Sequence, residues 1–224
     1  MRARELGASL FARLRRDVGR IVILTLAEQI DGLVARGEHA PFAATVGIGR
    51  AGVRVAEAVH ARTGWFPSVH RVDLWREEDE EGGYVLSAPE PLAARLAELG
   101  SADSIAVVDD TIFSGLTMRA VLAALPSAPR VARVHAFCLR AVADSLALVA
   151  ELAPVTAGFA ASGRIIEDVS FINASGLVKR GAIRRTGRPP LAFYERPEWM
   201  AAWFPTDHEA ITALCRELAA ELDR

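Results

Sequence analysis

The segment Ser104-Ile-Ala-Val-Val-Asp109 constrains the fold more than any other part of the chain. Four consecutive apolar residues form a strand buried on both faces, as in a parallel sheet whose connections are helices. Two adjacent carboxylates, Asp109 and Asp110, stand at its end, and like charges side by side require a partner to justify them. A short loop follows, and helical periodicity resumes after Gly115 and runs to Leu125. The alternation recurs on both sides. Residues 44–49 read as a short buried strand ending in glycines, and residues 51–63 as a helix with Val53, Ala56, Val59 and His60 at helical spacing. Residues 68–75 alternate like a strand, 84–87 read as a shorter one, and 91–99 as a helix with proline at its start. Residues 131–140 and 155–161 read as strands flanking a helix over 144–152, with Asp144 as its cap. The prediction is an α/β fold built on a parallel sheet with helices on both faces.

The flanks behave differently. Residues up to about 36 read as two helices outside the alternating core. Beyond Ser162, glycine, arginine, proline and aromatics crowd together without a long periodic run. Asp207 then caps an amphipathic helix carrying Ile211, Leu214, Leu218 and Leu222. The expected division is therefore 1–161 for a core with N-terminal helices and 162–224 for an appendage ending in a helix. The apolar face of that helix suits either packing within the appendage or a homodimer. Of the 224 residues 51% are hydrophobic and 24% charged, with a formal net charge of -2, the profile of a soluble globular protein. Bulk charge gives no reason to expect nucleic acid or a membrane surface as partner. The apolar run 21–27 is too short to span a bilayer, and Met1-Arg-Ala-Arg-Glu lacks the apolar core of a signal peptide, so a cytoplasmic location is expected. Cys138 and Cys215 have apolar neighbours and read as inert core thiols.

Two glycine-rich turns carry chemistry. The first, Gly47-Ile-Gly-Arg-Ala-Gly52, has three spaced glycines between a strand and a helix, with Asp73 about 20 residues further on. That pattern fits an NAD-dependent oxidoreductase, but this reading leaves the second turn unexplained. In the second, Asp109 and Asp110 precede Thr111, and Ser114, Gly115, Leu116 and Thr117 open a helix. Hydroxyls and backbone amides at a positive dipole end make an anion cradle. Acidic groups for sugar hydroxyls or a hydrated Mg²⁺ beside a phosphate cradle fit a phosphorylated sugar better than a dinucleotide.

Val107-Val-Asp-Asp-Thr-Ile-Phe-Ser-Gly-Leu-Thr117 resembles the binding motif for 5-phosphoribosyl-1-diphosphate (PRPP) of type I phosphoribosyltransferases. Arg50-Ala51-Gly52 is similar to the family's diphosphate turn, with alanine in place of its first glycine. The resemblance covers residues 44–161. It implies a Rossmann-like parallel sheet of the type I phosphoribosyltransferase fold with a hood-like C-terminal appendage. It implies that Asp109 and Asp110 contact the ribose hydroxyls and that Thr111, Ser114, Gly115, Leu116 and Thr117 wrap the 5-phosphate. It also implies that Gly49, Arg50, Ala51 and Gly52 hold the diphosphate. The implied cofactor is Mg²⁺, bound through PRPP and water, with Asp109 and Asp110 contributing through water and no direct protein cage. The implied reaction transfers a phosphoribosyl group to a nitrogenous acceptor, or removes it in reverse.

Three features depart from that pattern. Phe113 stands where 6-oxopurine enzymes of the family carry an aspartate. Glu77-Glu-Asp-Glu-Glu81 makes the region of the mobile loop acidic, which leaves Arg71, Arg76, Tyr84 or Ser87 to close over a diphosphate if the acids stay solvated. Residues 193–200 have no counterpart in the salvage enzymes, which suggests an orphan branch such as the phosphoribosyltransferase-like proteins of bacterial stress and tellurite-resistance gene clusters. The base is expected to meet Phe113, Lys179 (the single lysine), Trp203 and Phe204. A non-catalytic PRPP or nucleotide sensor on the same fold is the main alternative.

Overall fold

A computed structural model of the chain describes residues 1–17, 21–100, 102–125, 133–161 and 174–224. The elements begin with α1 (Arg2–Leu14), α2 (Leu26–Val34), β1 (Ala44–Ile48), α3 (Gly49–Thr63) and β2 (Val69–Val72). There follow β3 (Trp75–Glu78), β4 (Tyr84–Ser87), α4 (Leu92–Ala97), β5 (Ser104–Ile112) and α5 (Leu116–Ala124). The remainder comprises β6 (Arg133–Val142), α6 (Ala143–Ala150), β7 (Val155–Ala161), α7 (Ala174–Val178), β8 (Ile183–Arg185), β9 (Arg188–Leu191), α8 (Pro197–Trp203) and α9 (His208–Leu222). They form two compact units. One comprises Met1–Leu24, Glu77–Val85 and Arg164–Arg224, the other Thr25–Arg76 and Leu86–Gly163.

The second of these units is the α/β core. Its five strands are all parallel, in the order β2-β1-β5-β6-β7. Alternation along β5 sends Ile105 and Val107 to one face and Ala106 and Val108 to the other. The first face packs Leu96, Met118, Val121 and Val149 from α4, α5 and α6. The second packs Leu33, Val55 and Val59 from α2 and α3. The helix α2 therefore covers the sheet rather than standing outside it. Several boundaries move. Helix α3 starts at Gly49, and the strand expected over 68–75 ends at Val72, with Trp75 already in β3 of the other sheet. Strand β5 runs three residues past Asp109 to Ile112, and α6 starts at Ala143 after Val142, with Asp144 in its first turn instead of at its cap. Residues 131 and 132 of the expected sixth-strand start lie outside the described residues.

The other unit has a small mixed sheet, β4-β3-β8-β9. Glu77 and Glu78 of β3 lie in register with Arg184 and Arg185 of β8, and Glu78 forms an ion pair with Arg196. The acidic run is thus not a solvated loop at its start: its first two residues are strand and half-buried. The turn back to β4 is held by Asp79, whose Oδ1 accepts the N–H of Gly83 at 2.7 Å. Helix α1 belongs with this unit because Leu10 and Leu14 are buried with Ile211, Cys215 and Leu218 of α9, and Arg13 donates to both oxygens of Asp207 at 2.7 Å. Helix α1 and the 77–85 hairpin thus group with residues 164–224, whereas a division at residue 161 counts them with the core. The apolar face of α9 is covered within the chain, apart from Leu222, which is 60% exposed. No described helix is long and apolar enough to cross a membrane.

Candidate functional site

Strands β1 and β5 are neighbours in the sheet but far apart in sequence, and the helices that follow them cover opposite faces. At such a reversal the two strand-to-helix turns splay apart and leave a crevice beyond the strand ends. Both glycine-rich turns lie there. Helix α3 starts at Gly49, whose φ of 58° is left-handed, and no side chain caps it. Gly52 is needed for packing: a Cβ there would lie 2.3 Å from the Val108 carbonyl oxygen and 3.3 Å from Asp109 Cα. The first turn of α3 is therefore pressed directly against the end of β5 where the acid pair begins. Arg50 and Ala51 are exposed in that turn.

Asp109 follows Val107 in the alternation, and its Oδ1 accepts the Asp110 N–H at 2.8 Å. Burial, then the neighbouring Asp110 charge, push its carboxyl well above the usual range, with Arg76 acting in the opposite direction. Asp109 is therefore the acid whose surroundings disfavour its charged form. Asp110 is held differently. Its Oδ2 accepts from Arg140 Nη2 at 3.2 Å and from Thr111 Oγ1 at 3.2 Å, while Arg140 Nη2 also donates to Thr111 Oγ1 at 2.7 Å. Arg140 lies opposite Thr111 in the β5–β6 register, which places its guanidinium beside both groups. Cys138, paired with Asp109 across the same strands, has its thiol pushed upward by burial and then by the two acids. Burial alone takes Cys215 to about 12. Neither thiol is poised as a nucleophile.

The chain then turns through Phe113, Ser114 and Gly115 into α5. Gly115 precedes the helix at φ 74°, and a Cβ there would meet Val149 Cγ2 at 3.2 Å. Ser145, buried on α6, donates its hydroxyl to the Phe113 carbonyl oxygen. Ser114 Oγ accepts the Leu116 N–H at 3.4 Å and a bond from Arg76 Nη1 at 3.4 Å. The Arg76 guanidinium also lies 5.9 Å from the Phe113 ring centroid. Thr117 is in the first turn of α5 and half-buried.

The structure thus gathers Gly49, Gly52, Asp109, Asp110, Thr111, Phe113, Ser114, Gly115, Leu116 and Thr117 at one end of the core sheet. The remaining expected base contacts fall in the other unit. Lys179 is exposed just after α7. Trp203 and Phe204 are core residues there, 7% and 4% exposed, with the Trp203 ring 5.4 Å from Phe193 and 5.6 Å from Trp199. Rings buried in that way serve packing and offer no face to a base. Asp73, the acid of the dinucleotide reading, is paired with Arg71 at 2.6 Å. Arg140 and Ser145 escaped the sequence reading. A lone arginine in the apolar run 136–142 was the available signal for the first, and nothing marked the second.

Among the described residues no group of three or more His, Cys, Asp or Glu could hold a metal ion. Within the pair, Asp110 is already engaged by Arg140 at 3.2 Å.

No family model matches the chain, and no curated protein matches it. Similar solved structures include a hypothetical protein from Neisseria gonorrhoeae with bound ppGpp, at 18% identity and a TM-score of 0.48, covering 64% of this chain and 84% of that one. They include the purine phosphoribosyltransferase from Pyrococcus horikoshii Ot3, at 16% identity and a TM-score of 0.42, covering 63% and 88%. The orotate phosphoribosyltransferase from Aeropyrum pernix is similar at 16% identity and a TM-score of 0.40, covering 60% and 70%. At these scores the likeness carries no functional inference.

Proposed function

We propose that the chain is a phosphoribosyltransferase that binds PRPP in the crevice between the ends of β1 and β5. The observation that carries this reading is the close approach of Gly52 to Val108 and Asp109, which joins the diphosphate-like turn to the motif of residues 107–117. In this reading Asp109 and Asp110 bond the two ribose hydroxyls, with Asp110 oriented by Arg140. Residues 114–117 surround the 5-phosphate with a hydroxyl and the free amides of α5. The uncapped start of α3 and Arg50 face the diphosphate. A Mg²⁺ ion arriving with PRPP neutralises part of the diphosphate charge. The bond from ribose C1 to diphosphate breaks as a bond from C1 to an acceptor nitrogen forms, and the protein contributes alignment and a fixed electrostatic frame.

The test is diphosphate release from PRPP and Mg²⁺ against a panel of nitrogenous bases. The expected result is saturable release with at least one base, reduced about a hundredfold or more in Asp109→Asn/Asp110→Asn. Tight PRPP binding with no release for any base would identify the non-catalytic sensor instead.

A further inference from the structure

We infer that Arg76 is a phosphate-binding residue of this site, specific for the 5-phosphomonoester end of the substrate and not for its diphosphate; the inference rests on the PRPP reading above. Arg76 belongs to β3, outside both turns, yet its Nη1 lies 3.4 Å from Ser114 Oγ. Ser114 immediately precedes the turn into α5 and already accepts the Leu116 N–H. A phosphate seated at the start of α5 would therefore lie within reach of a hydroxyl, the helix amides and a guanidinium together. The Phe113 ring, 5.9 Å from the guanidinium carbon, gives the fork an apolar surface to rest on and limits its orientations. The charge has a second effect, since Arg76 opposes the upward push on the Asp109 carboxyl. One guanidinium thus touches the phosphate turn and acts electrostatically on Asp109.

Charge economy supports the assignment. The sequence has 26 lysine and arginine residues, of which a single one is lysine, and the cation that the structure places against Ser114 is the guanidinium of Arg76. Glu78, two residues after Arg76, pairs with Arg196. A planar guanidinium suits a phosphomonoester dianion, which it grips through two parallel bonds. Neutral hydroxyls and amides alone would hold a phosphate with less dependence on its charge.

The experiment is calorimetry on the full chain with Mg²⁺, titrating PRPP, ribose 5-phosphate and inorganic diphosphate into wild type, Arg76→Gln and Arg76→Lys. Ribose 5-phosphate is also run as a competitor of PRPP. Both variants keep the aliphatic stem, and thermal midpoints confirm folding. Arg76→Gln is expected to weaken PRPP and ribose 5-phosphate alike by about tenfold to a hundredfold and to leave diphosphate within about threefold. Arg76→Lys is expected to retain most of the affinity at low salt and to lose it more steeply as salt rises. Unchanged ribose 5-phosphate affinity in Arg76→Gln, or a loss confined to diphosphate, overturns the assignment. So does a wild type that binds PRPP while ribose 5-phosphate neither binds nor competes. If Arg76→Gln does not fold, an Arg76→Lys variant with wild-type affinity at every salt concentration overturns it. A wild type that binds none of the three ligands defeats the PRPP reading itself, a result distinct from all of these.

Discussion

Gly52 sets how closely α3 approaches β5. The atom its missing Cβ would meet at 2.3 Å is a backbone carbonyl oxygen, which cannot rotate away as a side chain could. Gly52→Ala should therefore cost about 1–3 kcal/mol in urea unfolding, with the helix start displaced from the acid pair. An unchanged unfolding midpoint would show that the two turns are less tightly joined than described. The neighbouring glycines have different reasons. Gly47 would place a Cβ 2.9 Å from Val53 backbone atoms, while Gly49 has open space around it and needs only its left-handed φ. One spaced-glycine pattern thus serves packing at two positions and conformation at the third. This is why the sequence pattern alone could suggest a dinucleotide site as readily as a diphosphate turn. The acid pair was legible because adjacent aspartates after four apolar residues are hard to explain otherwise. Arg140 was not, because its partners are set by the β5–β6 register, a long-range property.

At the scale of elements, the ends of the core sheet have separate chemistry. Opposite the site, His135 near the start of β6 stacks on Phe137 at 4.4 Å and meets His39 edge-on at 4.9 Å, and His39 meets Trp65 and Phe137. Burial, then the charges of His39 and Arg133, lower His135 to about 4, and its Nε2 bonds Thr156 Oγ1 at 2.8 Å. Its unfolded value lies near 6.5, so between about pH 6.5 and 4 the unfolded chain binds a proton that the folded chain refuses. The contribution is fully present above pH 6.5 and is lost as pH falls to 4. The stability difference between wild type and His135→Gln, measured by urea unfolding at a series of pH values, should shrink across that window. A constant difference would mean that His135 takes up its proton in the folded state. The core strands were readable because buried parallel strands are continuous apolar runs. The extension of β5 through Asp110 and Thr111 was not, since polar residues are there stabilised by Arg140. Nor were β8 and β9, whose Ile183-Arg-Arg185 and Arg188-Pro-Pro-Leu191 lack alternation, with β8 paired to β3 and β9 to β8. The Thr186-Gly187 pair between them was the one available hairpin signal.

At the scale of the molecule, the chain passes from the core into the smaller unit within a single strand, between Arg76 and Glu77 of β3. The core carries every residue assigned here to PRPP. The smaller unit contains the acidic run, which departs from the resembled family's mobile loop, and Trp203, expected as a base contact and buried in packing. The central claim is that Asp109, Asp110 and the turn at residues 113–117 bind PRPP, and calorimetric titration with PRPP and Mg²⁺ tests it most directly. Wild type is expected to show saturable one-to-one binding that is lost in a folded Asp109→Asn/Asp110→Asn variant. Absence of binding by wild type, or equal binding by the double variant, would contradict it.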